Sequence, residues 1–301
     1  MTNPIYIIGN NTLAYYLGAQ IQSSGHNVIL LTDKHSSGES LSTDGISIKE
    51  DRSLTQKRHK LNAAEIMKEP AKMVIITAFA NKLNTMLSCV SRSKIGNAPV
   101  VCFTPIKDLS YLTPILGENL HAAYFNGYII NNKQTISLLG RGTSITLCPP
   151  KDRDADEDIL NIFTESKLEI NVSSNSLLSF WEYFSSYALC SILSAARDDK
   201  ISDLLKEKDE KERISILVEE FCSLARVDDI VLNDKVVLKN IYNTPVNYIY
   251  PLHQSIKNGG KDDFNLLSTI INDSAMLTKQ PIPKINYLLK KLYNNILNPI
   301  L

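Results

Sequence analysis

Apolar and polar positions alternate between two regimes along this chain of 301 residues. In the first half, short unbroken apolar runs are separated by stretches of helical period. "IYIIG" (5–9), "HNVILLT" (26–32), "KMVIIT" (72–77) and "APVVCFT" (98–104) predict four strands buried on both faces. Between the first two, "TLAYYLGAQIQSSG" (12–25) carries apolar residues at helical spacing and ends in Gly25, suited to a C-cap. A second helix is predicted over 80–92, and "GISIKE" (45–50) alternates as a short edge or antiparallel strand. "AAYFNGYII", "QTISLLG" and "TSITLCPP" (122–150) read as three further strands of an antiparallel extension. "QKRHK" (56–60) reads as a basic loop.

The regime changes at "CPPKDRDADED", where proline and charge replace the apolar runs. A short helix and the strand-like "LEINV" (168–172) follow, and then helical patterns alone: 176–196, 213–225, 263–277 and 285–297. "LLKEKDEKER" (204–213) reads as a solvated helix face. The expected architecture is an α/β, Rossmann-like domain over 1–170 followed by an all-helical domain over 171–301.

Composition narrows the function classes. Net charge is zero, which disfavours a broad attraction to nucleic acid or to an anionic membrane surface. The longest apolar run, 73–80, is too short to span a bilayer. No basic stretch and long apolar run open the chain, so a cytoplasmic protein without a signal peptide is expected. The five scattered cysteines read as buried free thiols, and the five histidines show no ligand spacing, so no metal site is expected.

The candidate chemistry begins at "GNNTLA". A strand, a tight turn and a helix N-terminus form an anion site for a pyrophosphate. The fingerprint G-x-G-x-x-G/A is met by Gly9 and Ala14, but its second glycine is Asn11. Asparagine tolerates left-handed backbone, yet its side chain adds bulk where the phosphates come closest. Gly9, Asn10, Asn11, Thr12, Leu13 and Ala14 are the candidate cofactor turn. Asp33 follows the second strand at the spacing of an acid that takes the ribose hydroxyls, which favours NAD over NADP; Lys34 beside it works the other way.

The second half carries a family resemblance. "GKDDFNLLSTIINDSAMLTKQPIPKINYLLKKL" (260–292) resembles the C-terminal signature of ketopantoate reductases (2-dehydropantoate 2-reductases), roughly G-R-x-T-E-I-D followed by G-I-x-x-P-x-N. "WEYFSSYALCSILSA" (181–195) resembles their W-x-K-x-x-x-N-x-x-x-N helix, and "GHNVILLTD" with "TDGISIKE" their second strand and hairpin. The resemblance implies a Rossmann domain, a helical domain, a substrate cleft, NADPH-dependent reduction of a 2-oxo acid and a place in pantothenate biosynthesis. It covers the whole chain in order and spacing, at low identity.

The departures fall on the residues that carry chemistry. The family's catalytic lysine falls at Tyr183, its two asparagines at Tyr187 and Ser191, and the glutamate of T-E-I-D at Asp263. The lysine after the third strand falls at Phe79, the asparagine after the fourth at Pro105, the serine pair for the substrate carboxylate at Tyr250–Pro251, and the cofactor-selecting arginine at Asp33. Tyr183 and Asp263 are thus the catalytic candidates, Phe79 joins the cofactor set, and Pro105, Tyr187, Ser191 and Tyr250 line the substrate side. Tyr183, Tyr187, Ser191 and Ser194 share a helical face rich in hydroxyls and without a cation. A tyrosine hydroxyl can donate a proton, but neither charge nor a carboxylate anchor comes with it. Lys257 and Lys261 are the candidates to replace the missing charge. The lone Trp181 is expected in the core. The resulting expectation is an NAD(P)-dependent oxidoreductase of a 2-oxo acid or related small carbonyl compound, with homodimerisation open. The alternatives are a catalytically inactive NAD(P)- or ligand-binding protein, or an interaction protein on the same frame.

Overall fold

The structure, a computed structural model, describes residues 3–32, 44–49, 57–78, 80–132 and 134–297. It divides into two compact units, Met1–Ser176 and Leu177–Leu301.

Unit 1 is built on one mixed sheet. Strand β1 (Ile5–Ile8) leads to α1 (Thr12–Ser23) and β2 (Val28–Leu31), then β3 (Ile46–Lys49), β4 (Lys57–His59) and β5 (Asn62–Ala64). After β6 (Met73–Ile76) come α2 (Ala80–Leu87), α3 (Arg92–Ile95), β7 (Val100–Cys102) and α4 (Thr113–Leu116). The unit closes with β8 (Leu120–Asn132), β9 (Thr135–Cys148), α5 (Glu157–Glu165) and β10 (Glu169–Val172). The sheet order is β4-β3-β9-β8-β7-β6-β1-β2-β5, with β10 on β9. From β8 to β5 every neighbouring pair is parallel. This is a Rossmann-like frame.

Side-chain alternation explains the unbroken apolar runs. Ile5 and Ile7 point into one core with Leu17, Leu30, Ile75 and Phe163, while Tyr6 and Ile8 point into a second with Val74, Ile76 and Leu83. All four β1 side chains are at most 1% exposed. Burying each large apolar side chain contributes about 1.5–3 kcal/mol. The one polar atom in that strand, the Tyr6 hydroxyl, is met by both the N–H and the C=O of Glu69.

Three expectations change. Lys57–His59, in the segment expected as a loop, is a strand: it pairs antiparallel with β3, His59 buried and Lys57 and Arg58 exposed. "QTISLLG" and "TSITLC" form one continuous strand, β9, so β8 and β9 make a single long hairpin with a register shift at Asn126/Tyr128. Gly140 and Gly142 adopt positive φ (81° and 78°) inside β9 without ending it. The helix expected over 80–92 stops at Leu87.

Unit 2 is helical: α6 (Ser176–Arg197), α7 (Ile201–Leu204), α8 (Lys208–Leu224), α9 (Asp234–Tyr242), α10 (Pro251–Lys257), α11 (Asp262–Thr278) and α12 (Pro283–Leu297). Trp181 is fully buried among Phe180 and Phe184 and donates from Nε1 to Asp228 at 2.8 Å. The mixed-charge run 204–213 is only partly a solvated face. Glu210 is buried and takes Arg197 at 2.7 Å and Arg213 on the same oxygen, so a carboxylate inside the unit is held by paired cations. Glu220 on α8 accepts from the backbone N–H groups of Lys284 and Ile285 and thereby caps α12. All five cysteines are free thiols. No helix among the described residues is long and apolar enough to cross a membrane.

His121 on β8 is fully buried. Its Nε2 accepts from the N–H of Asp156, the N-cap of α5, and its Nδ1 has no partner among the described residues. Burial pushes its pKa below the ordinary value, and His59 is lowered for the same reason. The unfolded state therefore takes up these protons first. Stability should fall as pH drops below about 6.5, by up to ~1.4 kcal/mol per pH unit per histidine, and flatten once the folded histidines are themselves protonated. Denaturant midpoints between pH 7 and 5 test this, and His121→Gln should reduce the slope.

Candidate functional site

The turn after β1 is set by close contact between strand ends. Ile8 C=O accepts from the N–H groups of both Thr77 and Ala78, which follow β6. A Cβ on Gly9 would come within 2.1 Å of Thr77 Oγ1, so only glycine fits. Beyond β7, Thr104 Oγ1 donates to Ala78 C=O at 2.6 Å, and Pro105 follows it, half-buried. Gly9, Asn11, Ala14 and Pro105 thus lie at the carboxyl edge of the parallel strands, where ligands of such sheets bind.

Asn11 behaves differently from the sequence expectation. Its backbone is extended (φ −144°, ψ 171°), not left-handed. It is the N-cap of α1: Oδ1 accepts from Ala14 N–H at 2.9 Å, and Nδ2 donates to Thr77 C=O. The side chain occupies one donor that a phosphate would otherwise take. The N–H groups of Thr12 and Leu13 have no acceptor among the described residues. Asn10 is exposed and its Oδ1 accepts from the Tyr15 hydroxyl. The turn keeps the close approach and two donors without an acceptor among the described residues, and spends the third on itself. Asp33, Lys34 and Phe79 lie outside the described residues.

In unit 2, α6 and the segment before α10 bring aromatic rings together. Tyr183 and Tyr187, one turn apart on α6, are stacked at 5.7 Å with planes 8° apart. Tyr187 meets Tyr250 at 6.1 Å, and Tyr250 meets Tyr248 edge-to-face at 4.9 Å. The Tyr250 hydroxyl bonds Thr244 Oγ1 at 3.2 Å. Burial, then the neighbouring Tyr183, Tyr248 and Asp263, raise the Tyr187 pKa well above that of an ordinary tyrosine, while the Ser191 hydroxyl opposes slightly. Tyr187 is therefore a neutral hydroxyl across physiological pH. Ser191 is fully buried one turn beyond Tyr187. Ser194, expected on the same face, is turned elsewhere: it donates to Asp199 C=O and contacts His253 Nδ1 at 2.9 Å. Lys257 is paired with Asp198 at 2.6 Å, and Lys261 is exposed at the start of α11.

Sequence reasoning missed Thr77, Tyr248 and Thr244. The apolar alternation "YIY" (248–250) was the available signal for Tyr248; nothing local marks Thr77. A cavity of about 550 Å³ lined by Arg92, Asn97, Glu118, Arg153 and Asp156 lies at the amino edge of β7 and β8, the opposite edge from Gly9.

With this geometry in view, residues 5–104 match the family described as ketopantoate reductase PanE/ApbA. That segment belongs to the ketopantoate reductase family. No curated protein matches the chain. Solved structures match nearly all of it. The ternary structure of D-mandelate dehydrogenase with NADH and anilino(oxo)acetate is 17% identical, covering 97% of this chain and 98% of that one, with TM-score 0.83. The 2-dehydropantoate 2-reductase from Geobacter metallireducens GS-15 is 14% identical over 97% and 99%, TM-score 0.82. A PanE/ApbA family ketopantoate reductase from Ralstonia eutropha JMP134 is 17% identical over 97% and 98%, TM-score 0.81. At these identities the likeness is one of fold: the ketopantoate reductase fold extends over both units.

The double role of Asn11 makes a measurable prediction. Asn11→Ala should cost about 1–2 kcal/mol of stability, read in denaturant titration, because it removes a cap. Asn11→Gly, which also frees the Ala14 N–H, should bind a dinucleotide more tightly than the natural protein.

Proposed function

We propose that this protein is an NAD(P)-dependent oxidoreductase of the ketopantoate reductase type, acting on a 2-oxo acid or related small carbonyl compound. In this reading tyrosine hydroxyls stand where the family keeps lysine and asparagine. The observation that carries it is the turn at Gly9: a close strand approach that excludes any side chain, with two N–H groups that have no acceptor among the described residues at the start of a twelve-residue helix. That arrangement fits a pyrophosphate. Gly9 would admit it, and the backbone of Asn10, Thr12 and Leu13, together with Ala14 packing behind them, would hold it. Asp33, Lys34 and Phe79 complete the proposed cofactor set, with NAD favoured by Asp33.

When bound, the nicotinamide supplies a hydride. The chain's own part is to orient the carbonyl and deliver a proton. Tyr183 would donate from its hydroxyl to the developing alkoxide, a far stronger base than a phenolate. Tyr187, kept neutral by burial, would hold the same oxygen by hydrogen bond, with Asp263 in the position of the family's glutamate. Pro105, Ser191 and Tyr250 belong to the substrate side. Without an ammonium group the anionic ketopantoate loses its charge partner. A cytoplasmic location belongs to the same proposal.

A second reading, a non-catalytic NAD(P)- or ligand-binding protein, is favoured by one observation: the Asn11 side chain already caps α1. Titration calorimetry with NADH and NADPH, followed by turnover with ketopantoate, separates the readings. Saturable binding with NADH the tighter is expected. Ketopantoate turnover should lie at least ~100-fold below the ~10 s⁻¹ of a median enzyme. Turnover near that value overturns the substituted-site argument, and no binding of either cofactor at millimolar concentration overturns the oxidoreductase reading.

A further inference from the structure

The C-terminal end of α6 is a closed hydrogen-bonded turn. Asp198 takes a left-handed conformation (φ 55°), and the N–H groups of Asp198 and Asp199 return to the carbonyls of Ala195 and Ser194 at 3.4 and 3.1 Å. The Ser194 hydroxyl, fully buried, closes the same turn from the other side by donating to Asp199 C=O at 2.6 Å. A carbonyl only accepts, so the single hydroxyl hydrogen of Ser194 is spent there.

His253, on α10 and only 4% exposed, packs against this turn. Its Nδ1 lies 2.9 Å from Ser194 Oγ and its Nε2 lies 2.7 Å from Asp198 Oδ1. Ser194 has no hydrogen left to give, so Nδ1 donates to it. Lys257, then His253 itself, hold the Asp198 carboxyl below the usual carboxylate range. An ionised carboxylate only accepts, so Nε2 donates as well. A neutral imidazole carries one N–H, and two committed donors make the ring an imidazolium. The setting suits a cation, since the negative end of the α6 dipole and a carboxylate both face it. Lys257 shares the same Asp198 oxygen at 2.6 Å and works against the charge, while Asp199 turns its carboxylate to the Lys200 N–H at 2.7 Å.

The other end of α10 carries Tyr250. This helix has seven residues, too few to hold its own position, and its buried side chains are Leu252 and His253. Tyr250 is its N-cap residue: its C=O accepts from the His253 N–H at 3.0 Å, and its ring meets Tyr187, two turns before Ser194 on α6.

We propose that His253 is a positioning residue, a buried imidazolium that clamps α10 to the end of α6 and so sets Tyr250 against Tyr187, linking that contact to a proton. When the proton leaves Nδ1, one of the three bonds is lost: the Ser194 hydroxyl turns to Nδ1 and releases Asp199 C=O. That Tyr250 belongs to a substrate side rests on the oxidoreductase reading; the clamp itself does not.

The test is NMR of the full chain, with labelled histidine and tyrosine rings, from about pH 6 to about pH 9. At about pH 7 both His253 ring nitrogens should carry hydrogen, and the Tyr250 ring signal should move in step as the proton is lost. Ser194→Ala removes the oxygen that receives Nδ1–H and should bring proton loss to lower pH by about one unit. In denaturant, the midpoint advantage of the natural protein over His253→Gln should be largest near pH 6 and shrink as pH rises, the sign of a group that the folded state holds protonated. A neutral His253 ring at about pH 7, or an advantage over His253→Gln that does not change with pH, overturns the clamp. A Tyr250 signal indifferent to the proton overturns the positioning role. If His253→Gln does not fold, the ring spectra of the natural protein and of Ser194→Ala decide. No measurement here uses a dinucleotide or a carbonyl compound, so failure of NADH binding sinks the oxidoreductase reading and leaves this inference to its own result.

Discussion

The structure of unit 1 depends on how tightly the ends of β1 and β6 are joined. Ile8 C=O takes two N–H groups from Thr77 and Ala78, Gly9 has no room for a Cβ beside Thr77, and Asn11 reaches back to Thr77 C=O. These contacts fix the direction in which the chain leaves the sheet. The other end of the Asn11 side chain caps α1, so the first helical turn is placed by the same residue. The helix then lays Ala14, Leu17 and Ile21 on the core formed by Ile5, Ile7 and Leu30. One asparagine thereby couples strand pairing, helix start and core packing.

The coupling separates two properties that a dinucleotide turn usually combines. Its geometry is that of an anion site, with strands converging and a helix N-terminus exposed. Its electrostatics are altered, because the cap brings a partial negative charge to the Ala14 N–H. A glycine there would leave that donor to the ligand and the helix start less well anchored. Asn11 shifts the balance toward intrinsic stability, while the N–H groups of Thr12 and Leu13 retain the dipole's pull on a phosphate. One donor is taken by the Asn11 side chain, and the close strand approach at Gly9 is kept.

How much of this was legible in the sequence follows from how local each cause is. The parallel strands were legible because burial on both faces writes an unbroken apolar run, as at Ile5–Ile8 and Met73–Ile76. The family resemblance correctly anticipated a Rossmann-like unit followed by a helical one. Features caused by distant partners were not legible. Lys57–His59 looks like a basic loop until β3 is beside it, and Glu210 looks solvated until Arg197 reaches it from another helix. Gly140 and Gly142 imitate a turn, although β9 continues past them and resumes pairing with β8 after a register shift. Asn11 was recognised as the departure from the fingerprint, but its role was not, since that role requires Thr77, 66 residues away.

The helical unit makes a complementary point about charge. An ammonium group on α6 would stabilise a developing alkoxide and attract a carboxylate with the same charge, tying the chemistry to anionic substrates. Tyrosine hydroxyls divide those functions. In the proposed site each would donate to an oxygen without drawing an anion, and burial keeps Tyr187 in its neutral form. Hydrogen bonds from neutral donors are roughly half as strong as charge-assisted ones, so the aromatic surface must supply binding that the charge no longer does. The stacking of Tyr183 on Tyr187 and its continuation through Tyr250 is the kind of surface that can do so. In the proposed reading, Tyr183 in place of the family's lysine would move the site from reading charge to reading shape.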